Sequence, residues 1–261
     1  MKQKIGLALA GGGARGLAHI GVIKALHEHN IYPTHISGSS AGAIVGSLYA
    51  AGNTTEKMLE VANNSSLFQL FRAFGLPING LAELKYLREI LEENIPGDNF
   101  DVLEKQLYVC TSNLNTGNWE IFSTGKLFDP VVASSSIPLL FKPIAINGQF
   151  HVDGGLLNNL PVEPLLKACD VVIGVNVIPH QTISKDQVDS LWDIGYRCFD
   201  LTVWANVASR LAQCHVGIDV AGLAAYDLFD FRKGAHIAEL GYLAAKAQMP
   251  AILALLNPKD S

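Results

Sequence analysis

The chain has 261 residues, 49% hydrophobic and only 16% charged, enough apolar material for one large α/β domain or two small ones. A net charge of −5 with no Lys/Arg block argues against nucleic-acid binding and against a broad electrostatic grip on anionic membranes. Cys110, Cys169, Cys198 and Cys214 form no Cys-x-x-Cys pair, so they suggest neither zinc nor a redox motif and read as reduced thiols in a cytoplasmic protein.

Met1 to Lys4 followed by Ile5 to Ala10 faintly mimics a signal peptide, but the apolar run is short and ends in three glycines without a cleavage context. It reads as a first strand, buried on both faces. No stretch is long and apolar enough to span a bilayer. Gly11-Gly12-Gly13-Ala14-Arg15-Gly16 follows, then a helix from about Leu17 to Asn30 with Ile20, Ile23 and Leu26 on one face. Gly11, Gly13 and Gly16 also satisfy a dinucleotide-binding fingerprint, which requires an acid about 20 residues on, at the end of the second strand. That place holds Ile36-Ser37-Gly38-Ser39-Ser40, without an acid. The glycines suit a different role, because a loop free of side chains can aim N–H groups at an oxyanion. Arg15 can brace that loop or attract an anionic head group, or be an ordinary surface arginine.

The second strand leads into Gly38-x-Ser40-x-Gly42 and a small, apolar helical run. This context makes the pentapeptide a candidate nucleophile elbow, in which flanking glycines remove side chains that would collide in a tight strand-to-helix turn. A purely structural turn is the competing reading. Thr54 or Thr55 can cap a helix through about Ala62. Ser65 to Ala82 carries Phe68, Phe71 and Phe74 in an apolar helical stripe, read either as core or as an acyl-chain or lipid-surface contact. Ala82 to Asn94 predicts an amphipathic helix with Leu84, Leu87, Ile90 and Leu91 inward.

Leu107–Thr111 and Trp119–Ser123 read as neighbouring antiparallel strands. Phe128–Ser134 predicts a short helix, with Ser135 and Ser136 in the turn that ends it. Phe141–Ile146, Asn147-Gly148 and Gln149–Val152 form a hairpin signal. The hairpin delivers Asp153-Gly154-Gly155, an acid at a strand end where close backbone approach is possible. A helix through about Ala168 and a buried strand, Asp170–Val177, follow. Ser190–Leu256 reads as mainly helical, with a loop around His215–Phe231. No repeat or linker divides the chain, so residues 1–261 read as one domain, with its motifs in 5–177.

Taken together, Gly11-Gly12-Gly13-Ala14-Arg15-Gly16, Gly38-x-Ser40-x-Gly42 and Asp153-Gly154-Gly155, with the Ala133-Ser134…Pro138 block before the aspartate, resemble the patatin-like phospholipase family. The resemblance extends from about Ile5 to Val177, and Phe229-Asp230-Phe231…Gly241-Tyr242 resembles the end of small bacterial members. It implies a three-layer α/β/α fold with a mostly parallel sheet. It also implies a Ser40–Asp153 dyad without a catalytic histidine, an oxyanion loop containing Gly11, Gly12, Gly13 and Arg15, and acyl-ester hydrolysis without a metal or other cofactor. The implied partner is a phospholipid, lysophospholipid or related ester, with transient contact at a membrane surface, so a peripheral position at the inner membrane is an expectation. An ordinary carboxylate, of pKa about 3.9, is a weak base towards a serine hydroxyl, which puts weight on the oxyanion hole and on water exclusion.

Two rivals remain at this level. A Ser–His–Asp triad makes His180, His215 and His236 eligible by chain order, and His151 shares a strand face with Asp153. His27 and His29 do not share a helix face, so no metal pair is expected there. A lipid- or acyl-binding regulator that kept the cleft is the non-enzymatic alternative.

Overall fold

Ile5–Leu9 forms β1, buried along its whole length, as its unbroken apolar run predicts. Around it is built a mixed, mostly parallel sheet in a computed structural model that describes residues 3–63, 84–178, 182–184, 188–228 and 230–256, with Trp192 by its backbone only. The expected Phe68, Phe71 and Phe74 contact surface lies outside the described residues.

The remaining strands are β2 (His35–Gly38), β3 (Gln106–Asn113), β4 (Trp119–Phe122), β5 (Ile144–Ile146), β6 (Gln149–Asp153), β7 (Val171–Asn176) and β8 (Val216–Asp219). The path through the sheet is β5-β6-β3-β2-β1-β7-β8, with β4 also paired to β3. The β3-β2-β1-β7-β8 run is parallel, and β4, β5 and β6 are added antiparallel. In the β5–β6 hairpin, Asn147 and Gly148 have φ of 50° and 77°, the positive values that Asn-Gly supplies in a two-residue turn.

The helices are α1 (Ala18–Glu28), α2 (Ala41–Ala50), α3 (Thr55–Asn63), α4 (Lys85–Asn94), α5 (Phe128–Ser134), α6 (Glu163–Ala168), α7 (Leu191–Ala205), α8 (Ala208–Leu211) and α9 (Gly234–Leu256). They lie on both faces of the sheet. On one face, a Cβ at Gly46 of α2 would stand against Ile36, Leu107 and Leu9. On the other, Gly6 of β1 lies against Leu165 of α6, and Gly174 of β7 against Leu211 of α8. Helices α1 and α9 cross in backbone contact, since a Cβ on Gly21 would fall 1.8 Å from the Ala238 carbonyl oxygen. Leu87, Ile90 and Leu91 of α4 are buried, as the helical period requires.

One expectation fails. The stretch from His215 to Phe231, expected as loop, contains β8, the fifth strand of the parallel series. Val-Gly-Ile-Asp is too short to show a strand period. Its pairing with β7 and the burial of Val216 and Ile218 define it instead.

Candidate active site

The site forms where two strands meet head to head. Gly38, the last residue of β2, pairs with Val109 of β3, and Asp153, the last residue of β6, pairs with Thr111. β4 already holds the other edge of β3 at both rungs, pairing Phe122 with Val109 and Glu120 with Thr111. β2 and β6 therefore share one edge of β3 and run towards each other. The gap between their ends contains the Ser39-Ser40 turn and Gly154.

Ser40 occupies that turn with φ 50° and ψ −124°, as the N-cap of α2. A non-glycine residue at positive φ costs on the order of 1–3 kcal/mol and persists only where its surroundings hold it. The close packing is measurable. A Cβ on Gly38 would lie 2.4 Å from the Gly42 backbone, and one on Gly42 would lie 2.2 Å from the Leu9 carbonyl oxygen. Ser134 Oγ accepts the Ser40 N–H at 2.9 Å and donates to the Cys110 carbonyl at 2.6 Å. Ser39 Oγ donates to the Asn158 carbonyl at 2.6 Å. Sequence reasoning put Ser134 at the end of a helix, which is where it lies, but gave no sign of this support.

Asp153 is 2% exposed and shares the lining of one cleft with Ser40, whose side chain acts on its carboxyl. Burial pushes its pKa up to about 7, against the opposing pull of the Ser40 side chain and of the Gly155 N–H, which donates to Oδ1 at 2.7 Å. The buried carboxyl is thus a far better proton acceptor near neutrality than the ordinary carboxylate assumed from sequence.

The glycine loop lies across from this pair. Its three glycines are not equivalent. The Gly11 N–H donates to Asn159, at 3.1 Å to Oδ1 and 3.3 Å to the backbone oxygen. Ala14 N–H donates to the Leu228 carbonyl at 2.8 Å, and Arg15 N–H to the Gly12 carbonyl at 3.1 Å. Among the described residues, the Gly12 and Gly13 N–H groups have no acceptor. Gly13 requires glycine twice over: φ is 56°, and a Cβ would stand 2.5 Å from the Leu228 oxygen.

Arg15 is buried, and its Nε donates to the Tyr226 carbonyl at 2.7 Å. This contact ties the glycine loop to the Tyr226 backbone, and the burial rules out an ordinary surface arginine. His19 Nε2 donates to the carbonyl of Ala10, just before the loop, at 2.7 Å. Complete burial pushes this imidazole down to about 4, so it is neutral.

Two asparagines tie the parts together. Asn159 Nδ2 donates to the Gly11 carbonyl at 3.3 Å, completing a reciprocal pair. Asn206, capping the end of α7, accepts the Asn159 N–H at 2.7 Å and donates to the Gly155 carbonyl at 2.9 Å. The glycine loop, the loop after Asp153 and α7 are therefore one hydrogen-bonded unit. Asn206 lies in a segment whose sequence carries no motif, so no local signal could have found it.

Gly11, Gly12, Gly13, Ser40, Asp153 and Asn159 line a cleft of about 350 Å³, counting its open mouth. Tyr196, Phe199, Asp200 and Val203 of α7, together with Ile137, Ile178 and Leu228, form the rest of its wall. No described histidine lines it. His151 is buried against Thr111 Oγ1, at 2.9 Å from Nδ1, and the edge of Phe122. His215 Nδ1 accepts the Val172 N–H at 3.1 Å, and His236 stacks obliquely on Tyr226. His180 lies outside the described residues. Among the described residues, no group of three His, Cys, Asp or Glu side chains is arranged to hold a metal ion.

A mostly parallel sheet carrying a strained serine between strand and helix, beside a buried acid and under a glycine loop, defines a class of α/β proteins built around a serine elbow. The family itself is patatin-like phospholipase: a family model of that description matches residues 7–166, more than half of the chain, and the chain belongs to that family. Lysophospholipase NTE1 of Candida glabrata is 31% identical over 202 residues, covering 74% of this chain and 12% of the relative. Lysophospholipase nte1 of Aspergillus fumigatus is 30% identical over 226 residues, covering 80% of this chain and 15% of the relative. The chain thus spans less than a sixth of the length of these two curated relatives. Human GIVD cytosolic phospholipase A2, solved with methyl gamma-linolenyl fluorophosphonate, superposes with a TM-score of 0.50 at 12% identity, covering 98% of this chain and 58% of that one. That likeness is one of fold.

Proposed function

We propose that this protein hydrolyses carboxylic esters of phospholipids or lysophospholipids through an acyl-enzyme on Ser40, with Asp153 as the base. The observation that carries the reading is the buried Asp153 carboxyl, brought into one cleft with Ser40 where β2 and β6 end head to head, with a pKa pushed up to about 7 by burial. Ser40 Oγ attacks the ester carbonyl carbon and its proton passes to Asp153. The carbonyl oxygen becomes an oxyanion, which the free N–H groups of Gly12 and Gly13 receive. One such donor contributes roughly 3–4 kcal/mol to the transition state. Collapse expels the alcohol, which takes the proton back from Asp153. Water then gives a proton to Asp153 and attacks the acyl-enzyme carbonyl carbon; collapse breaks the bond to Ser40 Oγ, which takes that proton from Asp153, and the fatty acid is released.

Gly11 and Arg15 act on this reading as fixtures of the loop, through Asn159 and Tyr226, and not as donors to the substrate. Ile137, Ile178, Phe199, Val203 and Leu228 give the acyl chain an apolar wall. The lysophospholipase names of the relatives support lysophospholipid as the first substrate to try.

The test compares wild type, Ser40→Ala and Asp153→Asn on p-nitrophenyl esters of increasing chain length and on lysophosphatidylcholine, with calcium chelated. Loss of kcat by a factor on the order of 10³ or more in both folded variants is the expected result. A fluorophosphonate probe should label wild type and not Ser40→Ala. Wild type that neither turns over nor labels would favour the lipid-binding regulator instead.

A further inference from the structure

Helix α7 has two apolar faces. Tyr196, Phe199 and Val203 point into the cleft. Leu191, Ile194, Cys198, Leu201 and Ala205, spaced three and four residues apart, form the outer side, centred about 150° away by the 100° turn per residue. All five are exposed, Leu191 at 88%, Ile194 at 47% and Leu201 at 42%. Trp204, at 36%, stands on the flank. A water-facing helix would carry polar residues on this side.

The face continues onto a neighbouring loop. Leu139 is 42% exposed and is held at φ 73°, a conformation that a leucine rarely adopts. Its Cδ1 would lie 3.0 Å from a Cβ on Gly195, so it abuts α7. Ile137, two residues earlier, lines the cleft. This loop therefore carries an apolar side chain at the outer surface and another in the cleft that holds Ser40. The charges of α7 are held off the face: Asp193 closes a capping box with Ser190, and Arg197 pairs with Asp200 at 2.7 Å.

We infer that the outer face of α7, with Leu139, docks the protein on a zwitterionic lipid surface and so sets the mouth of the cleft against the lipid. The inference rests on the hydrolase reading for the choice of occupant, since a lipid ester must enter beside this helix. Apolar insertion and not charge attraction drives the contact. The chain carries net charge −5, and the apolar side chains named on this face bring no cation to meet anionic head groups. Helix α7 thus lies in the interface plane, its inner side over the substrate and its outer side among the acyl chains.

The experiment is flotation with phosphatidylcholine vesicles, with and without phosphatidylserine, of wild type, Ser40→Ala and the double variant Leu191→Asp/Ile194→Asp. The substituted side chains are exposed, so folding is preserved, and turnover of a soluble short-chain ester should be unchanged. Wild type and Ser40→Ala should float equally, and the double variant should bind at least about tenfold more weakly. Equal flotation of Ser40→Ala supports docking whether or not hydrolysis occurs, so failure of the hydrolase reading shows separately, as an inert wild type that still floats. A fluorophore on Cys198 should shift to the blue on addition of vesicles. The inference is overturned if wild type ignores phosphatidylcholine, if it floats only with phosphatidylserine, or if the double variant floats as wild type does. It is overturned equally if the face pairs two copies of the chain, seen as a dimer that the double variant dissociates and that binds no vesicles.

Discussion

Ser134 holds the backbone of Ser40, its hydroxyl accepting the Ser40 N–H at 2.9 Å while donating to the Cys110 carbonyl at 2.6 Å. The strained serine is thus fixed from a helix 94 residues further along the chain. Ser134→Ala leaves a buried N–H and a buried carbonyl without this partner, at a cost of about 1–3 kcal/mol. The expected outcome is a lower melting temperature together with a kcat reduced at least severalfold and KM little changed. Ser134→Thr, which keeps the hydroxyl, should recover part of both. Thermal melts and steady-state kinetics check this.

On the proposed mechanism the pKa of Asp153 sets the pH dependence of activity. A base raised to about 7 is largely protonated at pH 6 and largely ionised at pH 8. On the proposed mechanism kcat/KM for a soluble ester should rise about tenfold per pH unit below this value and level off above it. An ascending limb near pH 4, the ordinary carboxylate range, would sink the assignment.

Stability should run the other way. The folded pKa lies above the ordinary 3.8, so the native state retains a proton that the unfolded chain has lost. The contribution of Asp153 to stability is whole below pH 4, is lost as pH rises towards 7, and stays lost above it. Asp153→Asn, which cannot ionise, should therefore be more stable than wild type at pH 8, by an amount on the order of a few kcal/mol. The difference should shrink towards pH 4. Denaturant titrations of the two proteins at both pH values measure it.

Asn206 is a positioning residue, since it bonds to Asn159 and Gly155 and does not line the cleft. Asn206→Ala should lower kcat on a soluble ester about tenfold while the fluorophosphonate still labels Ser40. On the proposed mechanism the reduction follows from releasing the loops that carry the proposed oxyanion donors and base. Asn206→Asp, which keeps an acceptor for the Asn159 N–H but loses the donor to Gly155, should fall between the two. A purely structural residue would lower the melting temperature and leave kcat of the folded protein intact.

Gly42 tests the elbow itself. A methyl group there would stand 2.2 Å from the Leu9 carbonyl oxygen and 2.8 Å from that of Ala10, both backbone atoms of the sheet and its exit. Gly42→Ala must push α2 away from β1, with destabilisation of about 1–3 kcal/mol. Gly125→Ala, where nothing lies within 4 Å, is the control for overpacking, although its φ of 73° adds a small backbone cost. Circular dichroism melts of the two variants should separate them.

Much of the fold was legible because its signals are local. The apolar run of β1, the Asn-Gly turn, the buried stripe of α4 and the glycine spacing about Ser40 each arise within a few residues, where sterics and periodicity act. β8 was not legible, because four residues carry too little period and only the β7 edge defines them. In the site, Ser40, Asp153 and the glycine loop were read from motifs. The supporting roles of Ser134, Asn159 and Asn206 were not, because a hydrogen bond between distant segments leaves no pattern in either one.

The sequence by itself determined the tight elbow, the glycine loop and an acid at a strand end, since these depend on which side chains are absent from a turn. Tertiary structure decided what those parts become. It put β2 and β6 on one edge of β3, so that Ser40 and Asp153 meet, and it buried the carboxyl until its pKa approached 7. It also distinguished Gly12 and Gly13 from Gly11 by supplying Asn159 to the latter alone. The physical reason is that burial and hydrogen-bond partnership are properties of what surrounds a group, and those surroundings come from segments far apart in the chain.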